Sequence, residues 1–141
     1  MSRFSISQKK RIGAIARRHG LQFVRIFGSG ARSLERARDI DLVVDGKSLA
    51  FSDFSELVGQ FEAIFNKPVD LVRLHSDLSP VLIQEIARES VPLWEELRSG
   101  RIAYASLIDR LHAVAADEML SYPQELRAES IRAVQRRLRV A

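Results

Sequence analysis

The chain has 141 residues, 46% hydrophobic and 28% charged, with 22 Lys and Arg against 18 Asp and Glu for a formal net charge of +4. This fits one folded domain, or one domain with an appendage, and excludes a disordered chain, while the modest positive balance suits anionic ligands such as nucleotides or nucleic acid. The chain has no cysteine for disulfides or thiolate metal sites, no apolar run near the roughly 20 residues of a membrane span and no apolar signal-peptide core at its start, so a cytoplasmic protein is expected.

Ser5 or Ser7 can cap a helix through QKKRIGAIARRH that stops at Gly20, with Ile12, Ile15 and Ala16 on its apolar face. LQFVRIF, residues 21–27, is mostly apolar on both sides and reads as a central strand ending at Gly28-Ser29. ARSLER is expected to form a short helix, and DIDLVVD, residues 39–45, a second strand closed by a turn at Asp45-Gly46. Phe54, Leu57, Val58, Phe61 and Phe65 recur at helical spacing in FSDFSELVGQFEAIF, and Asn66-Lys67-Pro68 breaks that helix. VDLVRL is a third strand, Ser79 and Pro80 open a helix in SPVLIQEIARES, VPLWE is a short fourth strand, and Arg98-Ser99-Gly100 end the pattern.

The link between the first two strands is too short for a crossover helix, which predicts antiparallel neighbours. The second and third, joined through a helix, are predicted to be parallel. The expected fold class is α/β (α+β), a small mixed sheet flanked by helices. Residues 101–141 read instead as two helices, RIAYASLIDRLHAVAADEML and PQELRAESIRAVQRRLRV. The expected division is a domain over 1–100 and a two-helix interaction extension over 101–141. Two helices alone bury too little surface, so their apolar positions (Ile102, Leu107, Ile108, Leu111, Val114 and Ala115; then Leu126, Ile131, Val134 and Leu138) must pack on the domain, a second copy or a partner.

The stretch GSGARSLERARDIDLVV carries the chemistry. Side chains alternate along a strand, so Asp39 and Asp41 share one face. Two adjacent carboxylates repel unless a cation neutralises them, and hard oxygen ligands suit Mg²⁺ together with substrate phosphates. KPVDLVRL repeats the shape, with Asp70 near the start of an apolar run. If its strand lies parallel to the second, Asp70 can stand beside Asp41 and complete a three-carboxylate, two-metal set of the kind used for displacement at phosphorus. Gly28 lets a phosphate approach the backbone closely, Ser29 offers a hydroxyl and an amide, and Arg32 lies one turn on.

Gly28, Ser29, Ala31, Arg32, Asp39 and Asp41 resemble the signature of the DNA polymerase β type nucleotidyltransferase superfamily, closest to its minimal nucleotidyltransferase (MNT) family. Asp70 fits the third acidic position, and IARESVPLWE resembles the family's closing helix and strand, with Trp94 as the aromatic residue. The resemblance covers residues 1 to about 97. Ser33 stands where the family usually has glycine, and nine residues separate Ser29 from Asp39 where ten is commonest. The resemblance implies a nucleotidyltransferase fold and transfer of a nucleoside monophosphate, AMP from ATP, to an acceptor hydroxyl. Asp39, Asp41 and Asp70 would then be catalytic and hold two Mg²⁺ ions, and Gly28, Ser29 and Arg32 would bind the nucleotide. It further implies an antitoxin that adenylylates a tyrosine on a HEPN-type toxin. A non-catalytic antitoxin that neutralises a partner by binding, and nucleotidyl transfer to a small molecule or RNA, are the other readings.

Other residues have plainer readings. Arg32 can equally pair with Glu35 or stay solvated. His19 suits a helix C-terminus, His75 a loop, and neither shows ligand spacing with His112. Phe51, Phe54, Phe61 and Phe65 read as core. Arg132, Arg136, Arg137 and Arg139 form either a solvated face or a contact for an acidic partner or RNA.

Overall fold

The computed structural model describes residues 5–46, 49–50, 52–75 and 78–120. Helix α1 (Ile6–Arg18) starts where the Ser5 hydroxyl accepts from the Gln8 amide and the Gln8 side chain accepts from the Ser5 amide, both at 3.0 Å. This reciprocal cap satisfies two backbone donors that a helix start leaves open. Strand β1 (Leu21–Phe27) runs into a single helical turn, α2 (Ser29–Arg32), and then β2 (Ile40–Gly46). Helix α3 (Asp53–Phe65) ends at Asn66, whose left-handed conformation (φ 54°) suits its short polar side chain. Strand β3 (Val69–Arg73), α4 (Pro80–Glu89), β4 (Val91–Glu95) and α5 (Leu97–Leu120) follow. Ser79 caps α4, with Pro80 in the first turn, where a missing amide costs nothing.

The four strands lie in the order β3-β2-β1-β4. β1 is antiparallel to β2 and to β4, and β2 is parallel to β3. The sheet is mixed, as the connection lengths predict. Its two faces are buried in separate clusters. On one, Val24, Ile26, Ile40, Leu42, Val44 and Val69 meet Ile12 and Ala16 of α1 and Leu57, Phe61, Ile64 and Phe65 of α3. On the other, Phe23, Phe27, Val43 and Val72 meet Leu82, Ile83 and Ile86 of α4 and Tyr104, Ile108, Leu111 and Ala115 of α5. Each large side chain so buried contributes roughly 1.5–3 kcal/mol.

Three local expectations need correction. The short helix is Ser29–Arg32, starting two residues before ARSLER, because Gly28 takes a positive φ (67°) directly after β1 and Ser33 is already extended (φ −154°). Asp45-Gly46 is no turn: β2 continues through Gly46, which pairs with Leu21. The boundary at residue 100 falls inside α5. That helix runs unbroken from Leu97, and a Cβ on Gly100 would collide with the carbonyl oxygen of Gln22 in β1. Gly100 is thus a close-approach residue rather than a terminator. The second helix expected in the tail, with its arginines, lies outside the described residues, as does Phe51.

Tyr104 ties α5 to the sheet. Its ring meets Phe23 edge-on at 5.3 Å between centroids, and the Arg25 guanidinium sits 3.8 Å over its centroid. Ser90 Oγ lies 3.0 Å from the Tyr104 hydroxyl, and Arg25 donates to Ser90 Oγ at 2.9 Å and to Ser90 O at 3.0 Å. Burial lowers the Arg25 pKa from its ordinary value, and Tyr104 and Glu95 oppose that shift. We expect Tyr104→Ala to cost about 3–5 kcal/mol, the range for a large aromatic removed from a core, measured by urea unfolding. A chain ended at residue 100 should lose its cooperative transition. A loss under about 1 kcal/mol in the point variant would show that α5 is not part of this core.

Candidate active site

Asp41 is the second residue of β2, and the parallel register sets it directly beside Asp70, the second residue of β3. On its other side Asp41 pairs with Phe27, the last residue of β1. The row Phe27–Asp41–Asp70 thus crosses three strands at one end of the sheet. Strand alternation puts Asp41 with Val43 and Asp70 with Val72, on the face covered by α4 and α5. Asp39 stands one residue ahead of β2 and is half-buried. The Oδ2 atom of Asp70 is shielded from solvent. Neighbouring strands lie roughly 4.8 Å apart, so two ionised carboxylates in register repel unless a cation lies between them.

Gly28 closes the site from the β1 side. A Cβ built there would lie 2.5 Å from Asp41 Oδ2. The position thus needs glycine twice, for its positive φ and for the space Asp41 takes. Ser29, the first residue of α2, follows at once. The structure therefore brings Gly28, Ser29, Asp41 and Asp70 to one end of the sheet, with Asp39 at the entry to β2.

Of the readings open to Arg32, the structure replaces the Glu35 pair with a different one. Arg32 is largely exposed and pairs with Glu89 at the end of α4, Nη1 to Oε2 at 3.1 Å, rather than with Glu35. His19 Nε2 donates to Gln60 Oε1 (3.1 Å), and its Nδ1 lies 3.5 Å from Asp53 Oδ1. His19, Asp53 and Glu56 bring ligand-type atoms within 4.8 Å of one another, but on the α1–α3 side and apart from the Asp41–Asp70 pair. His75 is exposed and lines a cleft of about 630 Å³ with Asp45, Arg73 and Arg110.

Sequence reading missed Lys67. It appears there only as part of a helix-breaking triplet, yet its ammonium donates to three backbone carbonyls in the loop leading to Asp39: Leu34, Glu35 (3.2 Å) and Ala37 (2.8 Å). Contacts spanning thirty or more residues leave no periodic signal, so only the lysine's position just before β3 could have hinted at them.

Residues 10–98 match the family described as polymerase beta, nucleotidyltransferase. A relative from Methanocaldococcus jannaschii named as a protein adenylyltransferase, MJ0435, is 33% identical over 85 residues, 59% of this chain and 90% of the relative. A solved structure named as a minimal nucleotidyltransferase is similar at 31% identity, over 61% of this chain and 89% of that one, with a TM-score of 0.51. The fold also resembles that in a toxin–antitoxin structure with AMP-PNP, at 24% identity and a TM-score of 0.59 over 79% and 93% of the two chains. It is similar as well to one of a tri-AMPylated Shewanella oneidensis HEPN toxin in complex with MNT antitoxin, at 23% identity and 0.56 over 81% and 92%.

Gly28→Ala tests the packing at the site. The substitution should destabilise the fold by about 1–3 kcal/mol, because φ 67° with ψ −151° is a region essentially reserved for glycine, and weaken any Mn²⁺ binding by displacing the Asp41 carboxylate. Thermal unfolding and a Mn²⁺ titration followed by electron paramagnetic resonance measure the two effects. Unchanged Mn²⁺ affinity would show that Asp41 is not held where the metal binds.

Proposed function

This chain belongs to the polymerase β nucleotidyltransferase family, and from that premise we propose that it transfers AMP from ATP to an acceptor hydroxyl. The observation that carries the reading is the register of Asp41 against Asp70, beside a glycine whose missing Cβ leaves the carboxylate its room. Asp39, Asp41 and Asp70 are the residues that would hold Mg²⁺, two ions in all, because an all-carboxylate donor set fits a hard cation. Bound there, Mg²⁺ supplies charge neutralisation on the triphosphate and on the leaving pyrophosphate.

The chain's own residues do the rest. Gly28 and Ser29 receive the terminal phosphates at the end of β1, and Arg32 exchanges Glu89 for a phosphate oxygen. The acceptor oxygen forms a bond to the α-phosphorus, the bond from that phosphorus to the bridging oxygen of the β-phosphate breaks, and pyrophosphate departs. Asp70, on the acceptor side, takes the hydroxyl proton. Positioning and electrostatics carry the reaction, with no covalent intermediate on the protein.

We further propose that the acceptor is a tyrosine on a HEPN-type toxin, so that the protein acts in the cytoplasm as the antitoxin of a pair and uses residues 101–141 in that association. The support is the adenylyltransferase name of the M. jannaschii relative and the toxin–antitoxin assemblies among the similar folds.

The protein, incubated with radiolabelled ATP, Mg²⁺ and the product of the neighbouring reading frame, should label that partner on tyrosine. Asp39→Asn and Asp41→Asn should each reduce labelling at least about a hundredfold, the scale of a lost charge-stabilising group, with circular dichroism unchanged. Asp70→Asn should lower turnover far more than nucleotide affinity. Labelling that persists in either of the first two variants refutes the site assignment. Neutralisation of the partner without any labelling would make the protein a binding antitoxin.

A further inference from the structure

The strand that carries Asp70 and the loop that leads to Asp39 are separate in sequence. Apart from the backbone bond from the Ile40 amide to the Pro68 carbonyl (2.9 Å), Lys67 joins them. Lys67 lies two residues before β3 and three before Asp70, with its backbone fixed by Pro68 and by the bond from the Val69 amide to Glu62 Oε2 (3.0 Å). Its side chain reaches across to the carbonyls of Leu34, Glu35 and Ala37, the last only two residues before Asp39. The Ala37 side chain is buried in the α1–α3 core cluster. Between α2 and β2 the chain has no helix or strand to absorb these carbonyls, so one ammonium gathers them. A lysine supplies three donors on a flexible stem and no acceptor, which matches three converging carbonyls.

Resting on the nucleotidyltransferase reading above, we propose that Lys67 is a positioning residue for the metal carboxylates. By pinning the 34–37 loop to the base of β3, it fixes the spacing between Asp39 on one segment and Asp70 on the other. Asp41 needs no such help, because the β2–β3 ladder already holds it opposite Asp70. Asp39 lies outside the ladder and takes its place from the loop. The short connection makes this control tight, since Ser33 is extended and only five residues remain between it and Asp39.

Lys67→Met keeps the aliphatic stem and removes the donors, Lys67→Gln keeps an uncharged donor, and Lys67→Arg keeps the charge. Each full-length variant is titrated with Mn²⁺ in the presence of a non-hydrolysable ATP analogue, with free Mn²⁺ read by electron paramagnetic resonance and unfolding followed separately by heat. Lys67→Met should weaken Mn²⁺ binding about tenfold or more, as for other partners that orient metal ligands. Lys67→Arg should recover most of the loss and Lys67→Gln a part of it. If Lys67→Met, or Lys67→Gln should the former fail to fold, lowers the melting temperature but binds Mn²⁺ like the wild type, Lys67 is only a clamp of the fold and the inference is overturned. A wild-type protein that binds no Mn²⁺ with the analogue overturns the nucleotidyltransferase reading and this inference with it. A wild type that binds, with variants that bind equally, overturns this inference alone.

Discussion

The pairing of Asp41 with Asp70 is the contact on which the rest of the site depends, and it is unfavourable by itself. Two carboxylates in register on adjacent strands repel, so the arrangement persists only because something else fixes the register. Both sheet faces are buried, and the strands carry apolar residues inward on each side. A slip of one residue of β3 against β2 would turn Asp70 away from Asp41, toward α1 and α3, and present the core side chains of β3 to the wrong layer. Hydrogen bonds beyond the ladder close it at both ends, Ile40 N to Pro68 O at 2.9 Å and Leu74 N to Val44 O at 3.0 Å. The hydrophobic core supplies the free energy that keeps the carboxylates together, and a bound cation would then stabilise the fold as well as the substrate.

The remaining site residues are held by devices of lower order. Gly28 works by absence: the missing Cβ leaves the Asp41 carboxylate its place, and the positive φ turns the chain straight from β1 into α2. Arg32 is held by Glu89 at the surface, where an exposed ion pair is worth little and is easily exchanged. This end of the sheet thus combines rigid elements for the carboxylates with a surface cation in an exchangeable ion pair.

What the sequence makes legible follows from where the constraint is local. Strands buried on both faces show as apolar runs, and Leu57, Phe61 and Phe65 show a helical period, so the elements through β4 can be read along with the sheet's mixed directions. The placing of Asp41 beside Asp70 can also be read, because each opens an apolar run on what are parallel neighbouring strands. Gly100 misleads because glycine normally ends a helix, whereas here it admits the Gln22 carbonyl, a contact between segments nearly eighty residues apart. The Arg32–Glu89 pair and the Lys67 clamp are invisible for the same reason. Each joins side chains or carbonyls from distant segments, and neither needs any repeating pattern.

The same long-range packing narrows what the C-terminal segment can do. α5 spends its Tyr104, Ile108, Leu111 and Ala115 stripe on the sheet and α4, so that stripe is unavailable to a partner. Spacings of four, three and four residues place those four on one side of the helix. Ile102 and Val114 lie off it and stay exposed, at 61% and 57%. A toxin that used residues 101–116 would therefore have to meet the outer side of α5, leaving the Tyr104–Arg25 anchor undisturbed. Association and catalysis would then share one helix without sharing a residue, because the inner stripe supports the sheet face that carries Asp41 and Asp70 while the outer one faces solvent.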